Sequence, residues 1–245
     1  MNEGRLAGRR IIITGAASGI GLAAARRMHA EGAALSLHDR DGEALAALAA
    51  ELGAHQAVVD LPDEDAITAG VEAAAAALGG IDGLVNVAGI GGMGRLGELT
   101  LTDWNRTLGV NLTAPFLMMR AALPHMQAAG GGTIVNIASG QGLSPTAPGM
   151  ASYCASKGGL VLLSKQLALE LAPTIRVNCI CPGVVDTPLL PDNMRDAARQ
   201  PGSPYALKRV GEADEVADAI LFLSSGESSF ITGIAMAVDG GRTYH

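Results

Sequence analysis

The chain has 245 residues, of which 49% are hydrophobic and only 3% aromatic, and its formal net charge at pH 7 is −7. This length predicts one large domain or two small ones, with enough aliphatic side chains for a stable core. The negative charge argues against a protein that binds the nucleic-acid backbone, which needs a basic face. No apolar stretch approaches the roughly 18 uninterrupted residues of a membrane span, so no membrane partner is expected.

Short aliphatic runs alternate with longer amphipathic segments along the whole chain. The runs predict strands over residues 11–14, 34–38, 57–60, 83–87, 133–138, 175–180 and 234–238. The segments between them predict helices, for which the clearest are residues 22–30, 43–52, 65–78, 103–127, 152–171 and 212–223. Such alternation indicates βαβ units, in which helices cover both faces of a parallel sheet. Because no linker or repeat divides the sequence, residues 1–245 are expected to form one domain.

The cysteines and histidines carry little functional signal. Cys154, Cys179 and Cys181 are odd in number and lie in apolar surroundings, which is typical of reduced core thiols in a reducing compartment. The histidines show no ligand spacing, so no metal site is expected. Residues 1–10 are polar and basic and do not resemble a signal peptide, so the expected location is the cytoplasm.

A glycine-rich loop follows the first predicted strand. It reads Thr-Gly-Ala-Ala-Ser-Gly-Ile-Gly over residues 14–21, and a helical pattern starts at once. Gly15, Gly19 and Gly21 allow a tight turn in which backbone N–H groups approach a pyrophosphate at the positive end of the helix. The spacing differs from the usual G-x-G-x-x-G fingerprint, and a purely structural turn is the alternative. The position between a strand and a helix favours a dinucleotide site.

An acidic residue ends the second predicted strand. Asp39 lies 18 positions after Gly21, where a carboxylate would accept hydrogen bonds from the adenosine ribose hydroxyls. Such a carboxylate would repel a 2′-phosphate, and the loop residues 16–18 add no positive charge, so the sequence favours NAD over NADP. Arg40 complicates this preference because its guanidinium could reach a phosphate. Alternatively, Asp39 begins a turn over residues 39–42 and caps the next helix.

Tyr153 and Lys157 are four residues apart at the start of a predicted helix, so their side chains share one face. A free phenol has a pKa of about 10, too high for a base at neutral pH. A nearby ammonium and an oxidised nicotinamide would both lower that pKa. Tyr153 could then exchange a proton with an alcohol or a carbonyl oxygen. A Tyr-x-x-x-Lys pair alone is common by chance, so its companions decide.

Those companions make the sequence similar to the short-chain dehydrogenase/reductase family over essentially its whole length. The matching pieces, in order, are the loop 14–21, Asp60, residues 86–89, Asn111, Ser139, Tyr153, Lys157, Pro182-Gly183 with Thr187, and residues 238–241. Residues 86–89 read Asn-Val-Ala-Gly, a departure from the commoner Asn-Asn-Ala-Gly. The resemblance implies a single-domain α/β fold of the Rossmann type, with a doubly wound parallel sheet of about seven strands and helices on both faces.

The resemblance also implies roles for individual residues. Asn111, Ser139, Tyr153 and Lys157 would form a catalytic tetrad, in which Ser139 polarises the substrate oxygen and Lys157 holds the nicotinamide ribose. Asp60 would lie near the adenine and Thr187 near the carboxamide. The expected cofactor-binding residues are Gly15, Ser18, Gly19, Ile20, Gly21, Asp39, Arg40, Asp60, Leu61, Asn86, Ala88, Gly89, Tyr153, Lys157, Pro182, Gly183, Val185 and Thr187. The expected substrate contacts are Ser139, Gln141, Tyr153, Gly183 and Leu189.

Asn111 has a second signal, because Pro115 lies four residues later within the predicted helix 103–127. Proline has no N–H, so the carbonyl of Asn111 would lose its helical donor and need another partner, commonly water. The family's proton relay places a water there, linked to Lys157. A plain kink in the helix is the alternative.

Three functional hypotheses follow. The first is an NAD-dependent enzyme that transfers hydride between the nicotinamide and a secondary alcohol or its ketone. The second is an NADPH-dependent reductase of carbonyls or 3-oxoacyl carriers, since relatives share every catalytic residue. The third is a non-catalytic nucleotide-binding scaffold on the same fold, whose sequence sign would be the loss of Tyr153 or Lys157; both are present.

Substrate and assembly are less constrained. The expected pocket wall comprises residues 93–96, 141–143, 147–150 and 184–205, which are mostly small or apolar and so favour a modest hydrophobic or cyclic substrate. Arg95, Arg195 and Arg209 could each add one contact to an anion. Pro and Gly residues around 188–204 indicate a substrate lid at about 188–210. Apolar faces on the helices 103–127 and 152–171, with the family resemblance, favour a homotetramer.

Overall fold

The computed structural model describes residues 4–190 and 205–243. The strands among these residues are β1 (Arg10–Thr14), β2 (Ala34–Asp39), β3 (His55–Val58), β4 (Gly83–Asn86), β5 (Gly132–Ile137), β6 (Ile175–Pro182), β7 (Val185–Asp186), β8 (Gly211–Glu212) and β9 (Ala235–Val238). Seven of them form a parallel sheet in the order β3-β2-β1-β4-β5-β6-β9. The two short strands β7 and β8 pair separately.

Helices lie on both faces of the sheet. They are α1 (Gly19–Ala30), α2 (Gly42–Leu52), α3 (Glu64–Leu78), α4 (Leu101–Leu108), α5 (Ala114–Ala128), α6 (Ala151–Leu171) and α7 (Ala213–Ser224). One apolar core packs α1, α2 and α7 against the sheet, and a second packs α3, α5 and α6 against the other face. The predicted doubly wound Rossmann-type sheet is therefore confirmed. The reversal of strand order between β1 and β4 opens a crevice at the carboxyl ends of these strands, where ligands bind in such folds.

The third strand lies two residues earlier than the sequence indicates. β3 spans His55–Val58 rather than 57–60, and its pairing with β2 starts at the register His55 to Ser36. β3 is the edge strand, so its side chains alternate between half-buried and exposed and give no aliphatic run to read. Asp60 consequently lies beyond the strand, in the loop that leads to α3.

The single helix predicted over residues 103–127 is two helices joined by a π-helical turn. α4 ends at Leu108, the turn covers Gly109–Thr113, and α5 begins at Ala114. The N–H of Ala114 donates to the carbonyl of Gly109, five residues back. Pro115 follows directly and has no N–H to continue a regular helix, which fits a wider turn at this point.

The remaining features agree with a compact apolar core. All three cysteines are free, with Cys179 and Cys181 buried and Cys154 half-buried. None of the helices in the described parts of the chain has the length and apolar character that a membrane-spanning helix requires.

Candidate active site

Two adjoining cavities form one long cleft across the carboxyl edge of the sheet. The first has a volume of about 380 Å³ and runs from His38 and Asp39 along the glycine loop. The second, of about 120 Å³, contains Ser139, Tyr153 and Lys157. The cavities share wall residues, namely Ile20, Val87, Gly89, Ile90 and Leu189. An extended ligand lying along the first cavity would therefore reach the second.

The glycine loop leaves no room for a side chain at Gly15 or Gly21. Gly15 has φ +68°, and a Cβ there would lie 2.8 Å from the Cα of Ala88. A Cβ on Gly21 would lie 2.0 Å from the carbonyl oxygen of Gly15, so α1 packs directly on the loop. The first turn of α1 contains no acidic residue, and Ser18 at its N-cap makes no side-chain capping bond. The free N–H groups and the helix dipole thus suit a phosphate.

Asp39 lies at the far end of this loop, on the last residue of β2. Its Oδ2 accepts a hydrogen bond from the N–H of Ala17 at 3.0 Å, and its Oδ1 accepts one from the N–H of Asp41 at 3.1 Å. The helix-capping alternative for Asp39 does not hold, because Asp41 caps α2 through Ala44. An ionised carboxylate has about four acceptor positions, so Asp39 retains capacity for further donors in the cleft. Arg40 is exposed and lines the same cleft.

The walls beside Asp39 come from the ends of neighbouring strands. Asp60 and Leu61 line the cleft next to Val59, directly after β3. At the other side, Gly19 begins α1, and a Cβ there would lie 3.2 Å from the Thr187 side chain. The loop after β7 therefore closes over the start of α1. The predicted cofactor-binding residues Asp60 and Thr187, which lie far apart in the sequence, therefore line the same cleft.

Ser139, Tyr153 and Lys157 converge in the second cavity. Ser139 follows β5, while Tyr153 and Lys157 lie one turn apart on α6. The Nζ of Lys157 donates to the carbonyl of Ile137 at 2.8 Å and lies 6.0 Å from the centre of the Tyr153 ring. Lys157 is 3% exposed. The strand end and the helix thus place a hydroxyl, a phenol and an amine around one small space.

The electrostatics of these groups are set mainly by burial. Burial raises the pKa of the Tyr153 hydroxyl above its usual range, and a hydrogen bond with the Ser139 side chain offsets part of that rise. Burial lowers the pKa of Lys157 to about 8, because an ammonium is costly without water around it. Burial thus moves the two pKa values apart, and perturbed titratable groups that meet in a cleft are typical of functional sites.

Asn111 lies in the π-helical turn and is fully buried. Its Oδ1 accepts from the N–H of Ile90 at 2.8 Å, and its Nδ2 donates to the carbonyl of Ile90 at 2.9 Å. Nδ2 also lies 3.2 Å from Ser156 Oγ on α6. The side chain therefore fixes the loop after β4 next to α6. A Cβ on Gly89 would meet both Asn111 and Lys157, at 3.3 and 3.2 Å, so the two groups flank the same glycine.

Four of the predicted catalytic, cofactor and substrate residues do not line the cleft, and no residue of the expected wall segments 93–96, 141–143 and 147–150 lines it. Asn111 is buried in the π-helical turn. Gly21 packs α1 on the loop, as described above. Asn86 is buried beneath the cleft, where its Nδ2 donates to Asn136 Oδ1 at 2.8 Å. The amide of Gln141 is committed to Thr146 through two bonds of 3.0 Å. The other predicted cofactor and substrate residues line one or both cavities.

Several contacts were not predicted from the sequence. The backbones of Ile90 and Ile137 partner Asn111 and Lys157, and backbone partners leave no trace in residue type. Ser156 was missed although it precedes Lys157 directly.

Arg195 and most of the predicted lid lie outside the described residues. Within the described residues, no three His, Cys, Asp or Glu side chains come together as they would around a metal ion.

Comparisons with known proteins agree with this geometry. Residues 15–243 match a family model described as enoyl-(acyl carrier protein) reductase. A 2,5-dichloro-2,5-cyclohexadiene-1,4-diol dehydrogenase of Sphingobium indicum is 38% identical over 243 residues, covering 97% of each chain. A cis-4-hydroxycyclohexanecarboxylate dehydrogenase of Sinomonas cyclohexanicum is 42% identical over 243 residues, covering 95% of each. A crystal structure of a dehydrogenase/reductase from Sinorhizobium meliloti matches with a TM-score of 0.92 at 35% identity, covering 97% of this chain and 96% of the other.

Proposed function

This chain belongs to the short-chain dehydrogenase/reductase family, as one of its alcohol dehydrogenases, and from that premise we propose that it uses NAD in preference to NADP to interconvert a modest apolar or cyclic secondary alcohol and its ketone. The observation that carries the proposal is the convergence of Ser139, Tyr153 and Lys157 in a small cavity continuous with the glycine-loop cleft. The nicotinamide, when bound, supplies the hydride chemistry.

The chain's own residues supply position and proton transfer. The Tyr153 phenolate takes the proton from the alcohol oxygen, or the Tyr153 hydroxyl gives a proton to the ketone oxygen, and Ser139 donates a hydrogen bond to that same oxygen. The Lys157 ammonium, held by the carbonyl of Ile137, favours the phenolate form of Tyr153 and binds a ribose hydroxyl. Asn111 holds the loop after β4 through both polar groups of Ile90. The glycine loop and the start of α1 bind the pyrophosphate.

The NAD preference rests on Asp39. Its carboxylate is fixed in place by the N–H groups of Ala17 and Asp41, so its negative charge cannot swing away from the cleft without breaking two hydrogen bonds. A 2′-phosphate at this position would meet that charge directly, whereas ribose hydroxyls would donate to it. Residues 16–18 carry no cation that could offset the repulsion.

The test measures kcat/KM with NAD and NADP for the native protein, Asp39→Asn and the control Asp41→Asn. Asp41 carries the same charge two residues away but caps α2 and does not line the cleft. We expect native preference for NAD, a shift toward NADP of at least about tenfold in Asp39→Asn, equivalent to about 1.4 kcal/mol, and little change in the control. Native preference for NADP, or an unchanged ratio in Asp39→Asn, contradicts the proposal.

The substrate class is inferred from the second cavity. Its walls are mainly small or aliphatic, including Ile90, Ile137, Val185 and Leu189, and Lys157 is its one charged group within the described residues. Two relatives act, by their names, on hydroxylated six-membered rings. A panel of cyclohexanol, cyclopentanol, 2-butanol and cis-4-hydroxycyclohexanecarboxylate, followed by the absorbance of NADH, tests the class. We expect the highest kcat/KM with a cyclic alcohol; turnover of 2-butanol alone contradicts this.

The second candidate is the NADPH-dependent reductase of carbonyls or 3-oxoacyl carriers, and the description of the matching family model favours it only in naming an acyl-carrier substrate. Acetoacetyl coenzyme A with NADPH distinguishes the two, because this thioester carries the 3-oxoacyl group that the second candidate reduces. Faster turnover of acetoacetyl coenzyme A than of any ketone in the panel would select the second candidate.

Assembly, lid and location complete the proposal. Exposed apolar side chains on α5 and α6, among them Phe116, Leu162 and Leu169, suit a homotetramer, which light scattering would detect as four times 24.8 kDa. A lid at 188–210 predicts that NADH slows proteolysis there, and equal cleavage with and without NADH contradicts it. We place the enzyme in the cytoplasm, which cell fractionation checks.

A further inference from the structure

Arg242 is a buried arginine whose guanidinium has no acidic partner among the described residues. It follows β9 near the carboxyl end of the described chain, and it is only 4% exposed. Within residues 4–190 and 205–243 its side chain forms no ion pair, and both of its side-chain hydrogen bonds come from Nη2. A buried guanidinium without a carboxylate is costly to folding. This position is therefore poorly explained by stability alone.

The guanidinium holds the loop that follows Ser139. Its Nη2 donates to the carbonyl of Ser144 at 3.0 Å and to Thr146 Oγ1 at 2.7 Å. Thr146 Oγ1 also accepts from Gln141 Nε2 at 3.0 Å, and the Thr146 N–H donates to Gln141 Oε1 at 3.0 Å. Since a hydroxyl oxygen has two acceptor lone pairs, Arg242 and Gln141 occupy both. The loop from 141 to 146 is thereby closed into one hydrogen-bonded ring.

This ring of hydrogen bonds is connected to Ser139 through Gln141. The N–H of Gln141 donates to Ser139 Oγ at 3.1 Å, so one lone pair of that oxygen is taken by the backbone. The hydroxyl hydrogen of Ser139 then remains available on the cavity side, where the side chain hydrogen-bonds with the Tyr153 hydroxyl. A substrate oxygen placed between the two hydroxyls would accept the Ser139 hydrogen bond instead.

The guanidinium also touches the backbone beside Ser139. A Cβ on Gly140 would lie 2.4 Å from Nη1 of Arg242, so the arginine occupies the space that any other residue at 140 would fill. Asp239 fixes the position of Arg242 by accepting from its N–H at 3.2 Å and from the N–H of Thr243 at 2.9 Å. The same Asp239 packs against Gly183, where a Cβ would lie 2.9 Å from its Cα. The carboxyl-terminal segment thus supports both walls of the catalytic cavity.

We propose that Arg242 is a positioning residue, which holds the 139–146 loop through Thr146 and Gln141 so that the Ser139 hydroxyl points at the substrate oxygen. The inference rests on the proposed function for the role of Ser139. It predicts that loss of Arg242 reduces kcat and leaves cofactor binding intact, because the loop lies on the substrate side of the cleft.

The experiment compares Arg242→Met, Arg242→Lys, Thr146→Val and Thr146→Ser with the native protein. For each, kcat is measured with the best alcohol of the panel, the dissociation constant of NADH by fluorescence titration, and hydrogen exchange in peptides covering residues 139–147 by mass spectrometry. Arg176→Met is the matched control, since Arg176 holds the carbonyls of Leu223, Ser225 and Ile231 far from the cleft.

We expect Arg242→Met and Thr146→Val each to lower kcat about tenfold or more and to speed exchange in 139–147, with NADH affinity within about twofold of native. A double variant that combines Arg242→Met with Thr146→Val should lose no more kcat than the worse of the two single variants, because both changes break the same chain of hydrogen bonds. Thr146→Ser should restore kcat, Arg242→Lys should not, and Arg176→Met should lower only stability.

Native kcat in Arg242→Met, or equal losses in Arg176→Met, overturns the proposal, as does additivity in the double variant. Where Arg242→Met fails to fold, Gly140→Ala replaces it, since its Cβ displaces Nη1 while the arginine stays in the chain. Where no alcohol of the panel is turned over, the substrate proposal fails, and the exchange of residues 139–147 decides the role of Arg242 separately. Unchanged exchange there then overturns it.

Discussion

A buried histidine predicts how the stability of this enzyme depends on pH. His38 lies on β2 and is 1% exposed. The Nε2 atom of His38 is 3.0 Å from Ser36 Oγ, and the same oxygen lies 2.8 Å from Nδ1 of His55. The Nδ1 atom of His38 has no hydrogen-bond partner in the described parts of the chain. Burial, with a smaller effect of His55, lowers the pKa of His38 to about 4. The folded protein therefore keeps this imidazole neutral.

The size and sign of the effect follow from linkage. In the unfolded chain His38 titrates near the ordinary value of 6.5, so as the pH falls the unfolded state binds a proton that the folded state refuses. The stability is complete above about pH 6.5 and is lost as the pH falls toward 4. With these two pKa values the loss is about 2 kcal/mol at pH 5, and it approaches about 3 kcal/mol at still lower pH.

The assay is urea unfolding at pH 7.5 and pH 5, at one fixed protomer concentration, for the native protein and His38→Gln. Glutamine can still hydrogen-bond to Ser36 and does not titrate, so the fall in unfolding free energy between the two pH values should be about 2 kcal/mol smaller in the variant. His55→Gln, which removes the neighbouring charge, should reduce the fall only slightly. An equal fall in the native protein and His38→Gln would refute the reasoning.

Three further outcomes are expected. Tyr153→Phe should lower kcat by about 10²- to 10⁴-fold while NADH affinity, measured by fluorescence, stays unchanged. Asn111→Ala leaves both polar groups of Ile90 without their partner, at about 1–3 kcal/mol each, and should lower the urea midpoint sharply. Gly15→Ala should lower the melting temperature more than Gly53→Ala, because both have positive φ but only Gly15 would also press a Cβ on Ala88; equal shifts would show that backbone strain alone decides.

Those parts of the fold that repeat locally were predictable. A parallel strand buried on both faces reads as an aliphatic run, and an amphipathic helix reads as a period of 3.6, so the alternation of the two determines the sheet class. The glycine loop was predictable for the same reason, since positive φ at Gly15 and Gly19 leaves a mark in residue type. The edge strand β3 was misplaced because half-exposed positions do not need aliphatic residues.

The parts that were not predictable depend on residues far apart in the sequence. Pro115 indicated a disturbed helix near Asn111, but only the packed structure shows a π-helical turn that aims the Asn111 side chain at Ile90, 21 residues earlier. Arg242 is more distant still, acting 96 residues away on Thr146. In both cases a buried polar side chain completes the hydrogen bonds of a loop at the cavity. Such a residue produces no periodic pattern in the sequence around it. The proposed catalytic groups on α6 could therefore be predicted from local spacing, whereas the residues that hold the neighbouring loops could be identified only in the fold.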